Sequence, residues 1–145
     1  MAIFGAGSVW GDDEKIDDFF KNSNFVLGWN YENAIDLYML ISSVKVGDIL
    51  YIKSKSPRFS TMTIKAIGIV TESLSYSLIN TPKRYESLKE GGGLSIGVKW
   101  VIKTPFEIVI EKNSGKLTSI RASSFYEEFL PSIQNTIIEH LTNQL

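Results

Sequence analysis

The first apolar stretch, Ala2 to Val9, is short and punctuated by glycine, which predicts a strand whose backbone another group approaches closely. Trp10 and Gly11 end it. The acids Asp12-Asp13-Glu14 then open a predicted helix running through Asn22, because Asp12 or Asp13 can cap it and early acids suit the positive end of the helix dipole. Ile16, Phe19 and Phe20 stand at i, i+3 and i+4 and form its inward face. Asn24 to Trp29 reads as a buried strand, its apolar run being too brief for a helix. A second helix follows over about Glu32 to Ser43, with Ile35, Tyr38, Met39 and Ser42 as the inward stripe.

From Val44 the pattern changes to alternation and continuous β-branched runs. Lys45-Val46-Gly47-Asp48 is a turn, Ile49 to Lys53 a strand, and Ser54 to Ser60 a polar loop. Met62 to Glu72 is a long strand in which Gly68 marks a bulge or a close backbone approach. Residues 73–93 read as a long mixed loop closing on Gly91-Gly92-Gly93, the kind of segment that carries function. Leu94 to Ile102 and Phe106 to Glu111 are further strands. From about Ser123 the chain is predicted helical, Pro131 starting the last helix and Ile133, Ile137 and Leu141 forming its stripe, widened by Ile138 and Leu145. The expected architecture is α+β: a small, mostly antiparallel curved sheet or open barrel, flanked by two N-terminal helices and a C-terminal one.

Composition adds bounds to this picture. The 145 residues are 43% hydrophobic, enough for the core of one domain. No apolar run approaches the roughly 18 residues of a membrane span, and the N-terminus lacks the pattern of a secretory signal, so the expectation is a soluble, unexported, cytoplasmic protein without membrane partners. Without cysteine, disulfide scaffolds, zinc ribbons and thiol nucleophiles are excluded. The single histidine, His140, rules out a multi-histidine metal site and is expected on the surface of the last helix.

The net charge of −1 hides an uneven distribution. Residues 1–44 carry two Lys and seven acids, residues 45–121 thirteen Lys or Arg and six acids, and residues 122–145 three acids alone. One surface can therefore be positive while the protein is mildly acidic.

Candidate chemistry is sparse. No acid, base and nucleophile set can be assembled, so no enzyme activity, catalytic residue, cofactor or metal is expected. The cluster Asp12, Asp13, Glu14, Asp17 and Asp18 points in several directions as a solvated helix start would. Gly91-Gly92-Gly93 lacks the spacing and lysine of a phosphate loop, and Gly5-x-Gly7 is only a fragment of a dinucleotide fingerprint. What remains is an excess of aromatic residues where strands end: Trp10, Trp29, Tyr31, Phe59, Tyr76 and Tyr85, with Trp100 expected in the core. Such side chains can stack on a flat ligand, each stack contributing about 1–3 kcal/mol for a nucleobase.

Three stretches carry a family likeness. GSVWGDDEKIDDFFKN is similar to the strand-Trp-helix opening of YTH domains. NFVLGWN, a helix, then VKVGDILYIKS and IKAIGIVTE resemble the GW turn and strand-loop-strand unit of EVE-like domains. VKWVIKTPFEI resembles the late tryptophan-bearing strand of both. In this order, over residues 5–111, the chain resembles the PUA-like superfamily, in the branch that also holds the N-terminal modules of McrB-type restriction proteins. The resemblance implies a pocket that takes one extruded, often methylated base between aromatic side chains, possible roles in restriction or defence, and a nuclease or ATPase as a partner chain. Trp10 matches the first cage tryptophan and Trp29 the tryptophan of the GW turn. The second cage tryptophan has no counterpart, and only Tyr76 or Tyr85 falls in that interval.

The expected function is a non-catalytic module that reads a modified or flipped base in nucleic acid. Its pocket would be built from Trp10, Trp29, Tyr31, Tyr76 and Tyr85. Phosphates would be met by Lys53, Lys55, Arg58, Lys83 and Arg84. The alternatives are a small-ligand or nucleotide-binding sensor or sequestering protein using the same pocket, and a protein-interaction module.

Overall fold

The computed structural model describes residues 1–29, 31–54, 61–80, 95–110 and 124–145, with only the backbone of residue 31. The chain runs through β1 (Ile3–Ala6), a short ribbon of β2 (Val9–Trp10) and β3 (Asp13–Glu14), α1 (Ile16–Asn22) and β4 (Asn24–Val26). A 3-10 turn (Tyr31–Asn33) leads into α2 (Ile35–Ser42), followed by β5 (Ile49–Ser54) and β6 (Thr61–Glu72). Then come α3 (Leu74–Asn80), β7 (Ser95–Ile102), β8 (Phe106–Val109), β9 (Phe125–Glu127) and α4 (Pro131–Gln144).

Among the described residues, seven strands form one strongly curled mixed sheet, a half-barrel, in the order β4-β7-β6-β5-β1-β9 with β8 beside β6. β1 and β5 are parallel and the other pairs antiparallel. This is the α+β class read from the sequence. β6 is the spine. Its first residues pair with β8 and its last with β7, and the register shifts between Ile67 and Gly68 where β7 bends across it. A Cβ at Gly68 would run into the Val98 side chain and the Lys99 carbonyl, so glycine is what lets the two strands close.

Alternation divides the sheet between two cores. Leu50 and Ile52 face one, with Phe19 of α1, Tyr38 and Ile41 of α2 and Leu74 of α3. Ile49 and Tyr51 face the other, beneath Ile133, Ile137 and Leu141 of α4. The turn before β5 is closed as its residue types dictate. Gly47 adopts φ +93°, and the buried Asp48 carboxylate accepts the N–H groups of Lys45 at 2.8 Å and Ala2 at 2.9 Å, tying β1 to β5.

Several expectations are corrected. Asp13 and Glu14 are not helical but pair with Trp10 and Val9, and α1 begins after Lys15. In α2 the inward residues are Tyr38 and Ile41, while Ile35 and Met39 are 48% and 69% exposed. The α2 sequence, IDLYMLIS, is apolar around most of its circumference and so offers no clear phase to choose between faces. Leu74–Asn80, expected as loop, is α3. Phe125–Glu127, expected as helix, is the edge strand β9, fixed by pairing with β1 at the far end of the chain. Ile138 and Leu145 stay exposed, and His140 is half-buried, its ring stacked on Phe106 at 3.9 Å. Trp100 is 8% exposed, as expected of a core residue. No helix among the described residues is long and apolar enough to cross a membrane.

Candidate functional site

At the end of β1 the chain turns through Gly7 and Ser8 into the β2–β3 ribbon, which lifts Trp10 over the start of the sheet. The Trp10 indole lies 6.5 Å from Phe19 and presses on the backbone of Gly28, where a Cβ would come within 2.6 Å of Cδ1 and Nε1. Glycine at 28 is therefore the condition for the indole to sit where it does. Trp29 follows immediately.

Trp10 and Trp29 line one cavity of about 250 Å³. Val9, Phe25, Leu27 and Ser124 complete it, and Gly7, Gly11 and Gly28 supply walls without side chains. Trp29 is 50% exposed yet doubly tied. Its Nε1 donates to Ser124 Oγ at 3.0 Å, and its carbonyl accepts the Tyr38 hydroxyl at 2.6 Å. The backbone is thus fixed by Tyr38 and the indole restrained by Ser124, so a large aromatic face is held toward solvent with reduced rotamer freedom, which removes part of the ordering cost of stacking a ligand on it.

The rim is electrostatically mixed. Lys15 Nζ stands 5.3 Å from the Trp10 ring centre, within cation–π range, and Asp12 and Asp13 are exposed on the adjoining ribbon. Glu14 is committed elsewhere: Lys65 Nζ donates to it at 2.6 Å and to Ser8 Oγ at 3.1 Å, joining the ribbon to β6. Burial pushes the Glu14 carboxyl upward, but hydrogen bonds from Lys65, Ser8 and the Ile16 N–H, with the Lys65 charge, leave it below its ordinary value.

The structure thus brings together Trp10 and Trp29 of the expected pocket. Tyr76 is on α3, 53% exposed, and does not line this cavity. The backbone of Tyr31 belongs to the 3-10 turn. Tyr85, Lys55, Arg58, Lys83 and Arg84 lie outside the described residues. For Lys53 the expected strand position holds but its expected presentation to a phosphate does not: it continues β5, pairs with Ile64, and is 7% exposed with Nζ 5.6 Å from the Tyr126 ring. It faces a buried polar group in which the Tyr51 and Tyr126 hydroxyls are 2.6 Å apart and Tyr51 donates to Glu128 Oε1 at 2.8 Å. A lysine so placed is unavailable to a phosphate.

Ser124 and Phe25 were not foreseen as site residues. Ser124 lies 95 positions from Trp29 and carries no local signal, whereas the Gly28-Trp29 pair does mark its own turn. Comparison with known proteins finds no family model that matches the chain and no curated protein with significant sequence similarity.

Proposed function

We propose that the chain is a non-catalytic, PUA-like reader module that receives one flat base, modified and extruded from a nucleic-acid strand, between Trp10 and Trp29. The observation that carries this reading is the shared cavity: two tryptophans, one half-exposed and tied at both ends, over walls made of glycine. At about 250 Å³ it is slightly smaller than the usual 300–1,000 Å³ of small-molecule sites, which suits one ring system with its sugar and phosphate left outside. Extruding a base from a duplex costs a few kcal/mol, so single-stranded or mispaired substrates are favoured.

The test is titration of modified and unmodified oligonucleotides, single- and double-stranded, at two salt concentrations. Trp10→Ala and Trp29→Ala should each lose about 1–3 kcal/mol of binding and erase the preference for the modified base. Retention of that preference in both variants would defeat the reading.

A second reading, a pocket for a free nucleoside or similar flat small molecule, is favoured by one observation. Asp12 and Asp13 are exposed on the ribbon that carries Trp10, and their charge disfavours a phosphate nearby. Such a ligand would bind with little salt dependence, whereas a strand would lose affinity steeply.

A further inference from the structure

On the other flank of α1 lies a second cleft of about 240 Å³, lined by Phe20, Ser23, Thr71, Lys99, Trp100 and Lys103 together with Val98. It opens where β4 begins beside β7, next to the bond from Val98 N–H to the Ser23 carbonyl at 2.9 Å. Its lining contains two lysines and two hydroxyls but no acid. Lys103 Nζ is 5.5 Å from the Phe20 ring centre, which holds one ammonium over the cleft, and Lys99 and Thr71 are exposed. The side chains of Ser23, Thr71 and Lys99 have no hydrogen-bond or ion-pair partner among the described residues.

Ser23 adds an independent sign. It ends α1 at φ +50°, ψ +49°, the only non-glycine at positive φ among the described residues. Glycine takes this helix-ending position at lower cost, so the serine retains a hydroxyl at the cleft at the expense of backbone strain.

We propose that this cleft binds a phosphate oxyanion, with Lys99 and Lys103 neutralising its charge and the Ser23 and Thr71 hydroxyls donating to its oxygens. The chemistry is shared by the phosphodiester of a strand and a free phosphate ester. The strand form deepens the base-reading proposal and rests on it: Phe19 turns toward Trp10 and Phe20 toward Trp100, so the two sites flank one short segment.

The experiment has two arms. Inorganic pyrophosphate and a nucleoside monophosphate are titrated while the amide resonances of Ser23, Thr71, Lys99 and Lys103 are followed, with thermal unfolding as a check on the fold. A short single-stranded oligonucleotide is then titrated across salt concentrations. Wild type is compared in both arms with Lys99→Gln, Lys103→Gln and Ser23→Gly, and with Lys45→Gln, which is outside the cleft lining, as a charge control. The expected result is a saturable shift of the cleft resonances that each cleft variant weakens and Lys45→Gln does not. Each lysine variant should also flatten the salt slope by about 0.7. Ser23→Gly should keep or raise the unfolding temperature while weakening the shift. Cleft shifts without oligonucleotide binding would uphold the oxyanion site and remove the base reading. Oligonucleotide binding whose salt slope is unchanged in every cleft variant, with no cleft shifts, would overturn the oxyanion site and leave the base reading standing.

Discussion

The indole of Trp29 and the hydroxyl of Ser124, 95 positions apart, are joined by a hydrogen bond of 3.0 Å across the mouth of the tryptophan cavity. Ser124 also accepts the Gly7 N–H at 3.1 Å through its carbonyl, so one residue steadies two walls. Ser124→Ala keeps the backbone bond and loses the side-chain one. The expected stability loss is at most about 1 kcal/mol, because the bond is exposed and water replaces it. Trp29 fluorescence should show greater mobility, and affinity for the pocket's ligand should fall. Unchanged mobility of Trp29 would mean that the Ser124 bond does not restrain the indole.

The glycine walls separate two effects. A methyl at Gly7 meets no atom within 4 Å, so Gly7→Ala should fold as the wild type and intrude on the cavity. A methyl at Gly28 would overlap the Trp10 ring at 2.6 Å and displace it. Gly28→Ala is therefore expected to change Trp10 emission and lower stability, whereas Gly7→Ala should lower ligand binding alone. Calorimetric unfolding and titration of both variants check the division.

Trp10 and Trp100 should differ in the same way. Trp100 is almost fully buried, and its Nε1 donates to the Phe19 carbonyl at 3.0 Å, holding the end of α1 on β7. Trp100→Ala should cost about 3–5 kcal/mol, as loss of a core aromatic does. Trp10 is only half-buried and borders an open cavity, so Trp10→Ala should cost clearly less in denaturant unfolding. Equal costs would place Trp10 in the core.

Legibility of the fold followed the range of the interactions involved. Strands β5, β6 and β7 were readable because β-branched alternation and Gly68 are local signals of a curled sheet. Segment Phe125–Glu127 was not, since what makes it a strand is β1, more than 100 residues away. In the ribbon, acids that suit a helix start instead form β3, and Glu14 is held by Lys65 from β6. The site shows the same division. Trp10 and Gly28-Trp29 announce themselves at turns, but the burial of Lys53 depends on Tyr126 arriving from β9.

The Glu14–Lys65 pair has a consequence for acid stability. With the folded carboxyl below its ordinary value of 4.5, ionised Glu14 favours the native state above that pH, and the contribution is lost as pH falls through the folded value. Thermal stability should therefore drop on acidification below about 4.5, and Lys65→Met should shrink this part of the drop. Glu14 is 43% exposed, so added salt should shrink the effect in the wild type. A pH profile identical in Lys65→Met would show the pair to be energetically silent.

At the other end of the pH scale the buried tyrosines set the limit. Burial pushes the Tyr51 phenol far above its ordinary value of about 10, and the hydrogen bonds and charges of Tyr126 and Glu128 push the same way. A folded value raised above the unfolded one favours the native state fully below about pH 10, and that advantage declines as pH rises further because only the unfolded chain releases the proton. Tyr51 should therefore show no tyrosinate absorbance in the native protein and ionise only together with alkaline unfolding. Gly5 lets this arrangement form, since a Cβ there would lie 2.5 Å from Tyr126 Cζ and 2.7 Å from Tyr51 Cζ. Gly5→Ala is expected to force the two rings apart, lower the unfolding temperature, and advance the tyrosinate signal to lower pH. Tyr51→Phe should remove one phenol from the cooperative alkaline step and one of the donors to the buried Glu128 carboxylate, which keeps the Leu130 N–H, at a cost of about 1–3 kcal/mol. Titration of Tyr51 near its ordinary value in the folded wild type would contradict the geometry of the whole buried group.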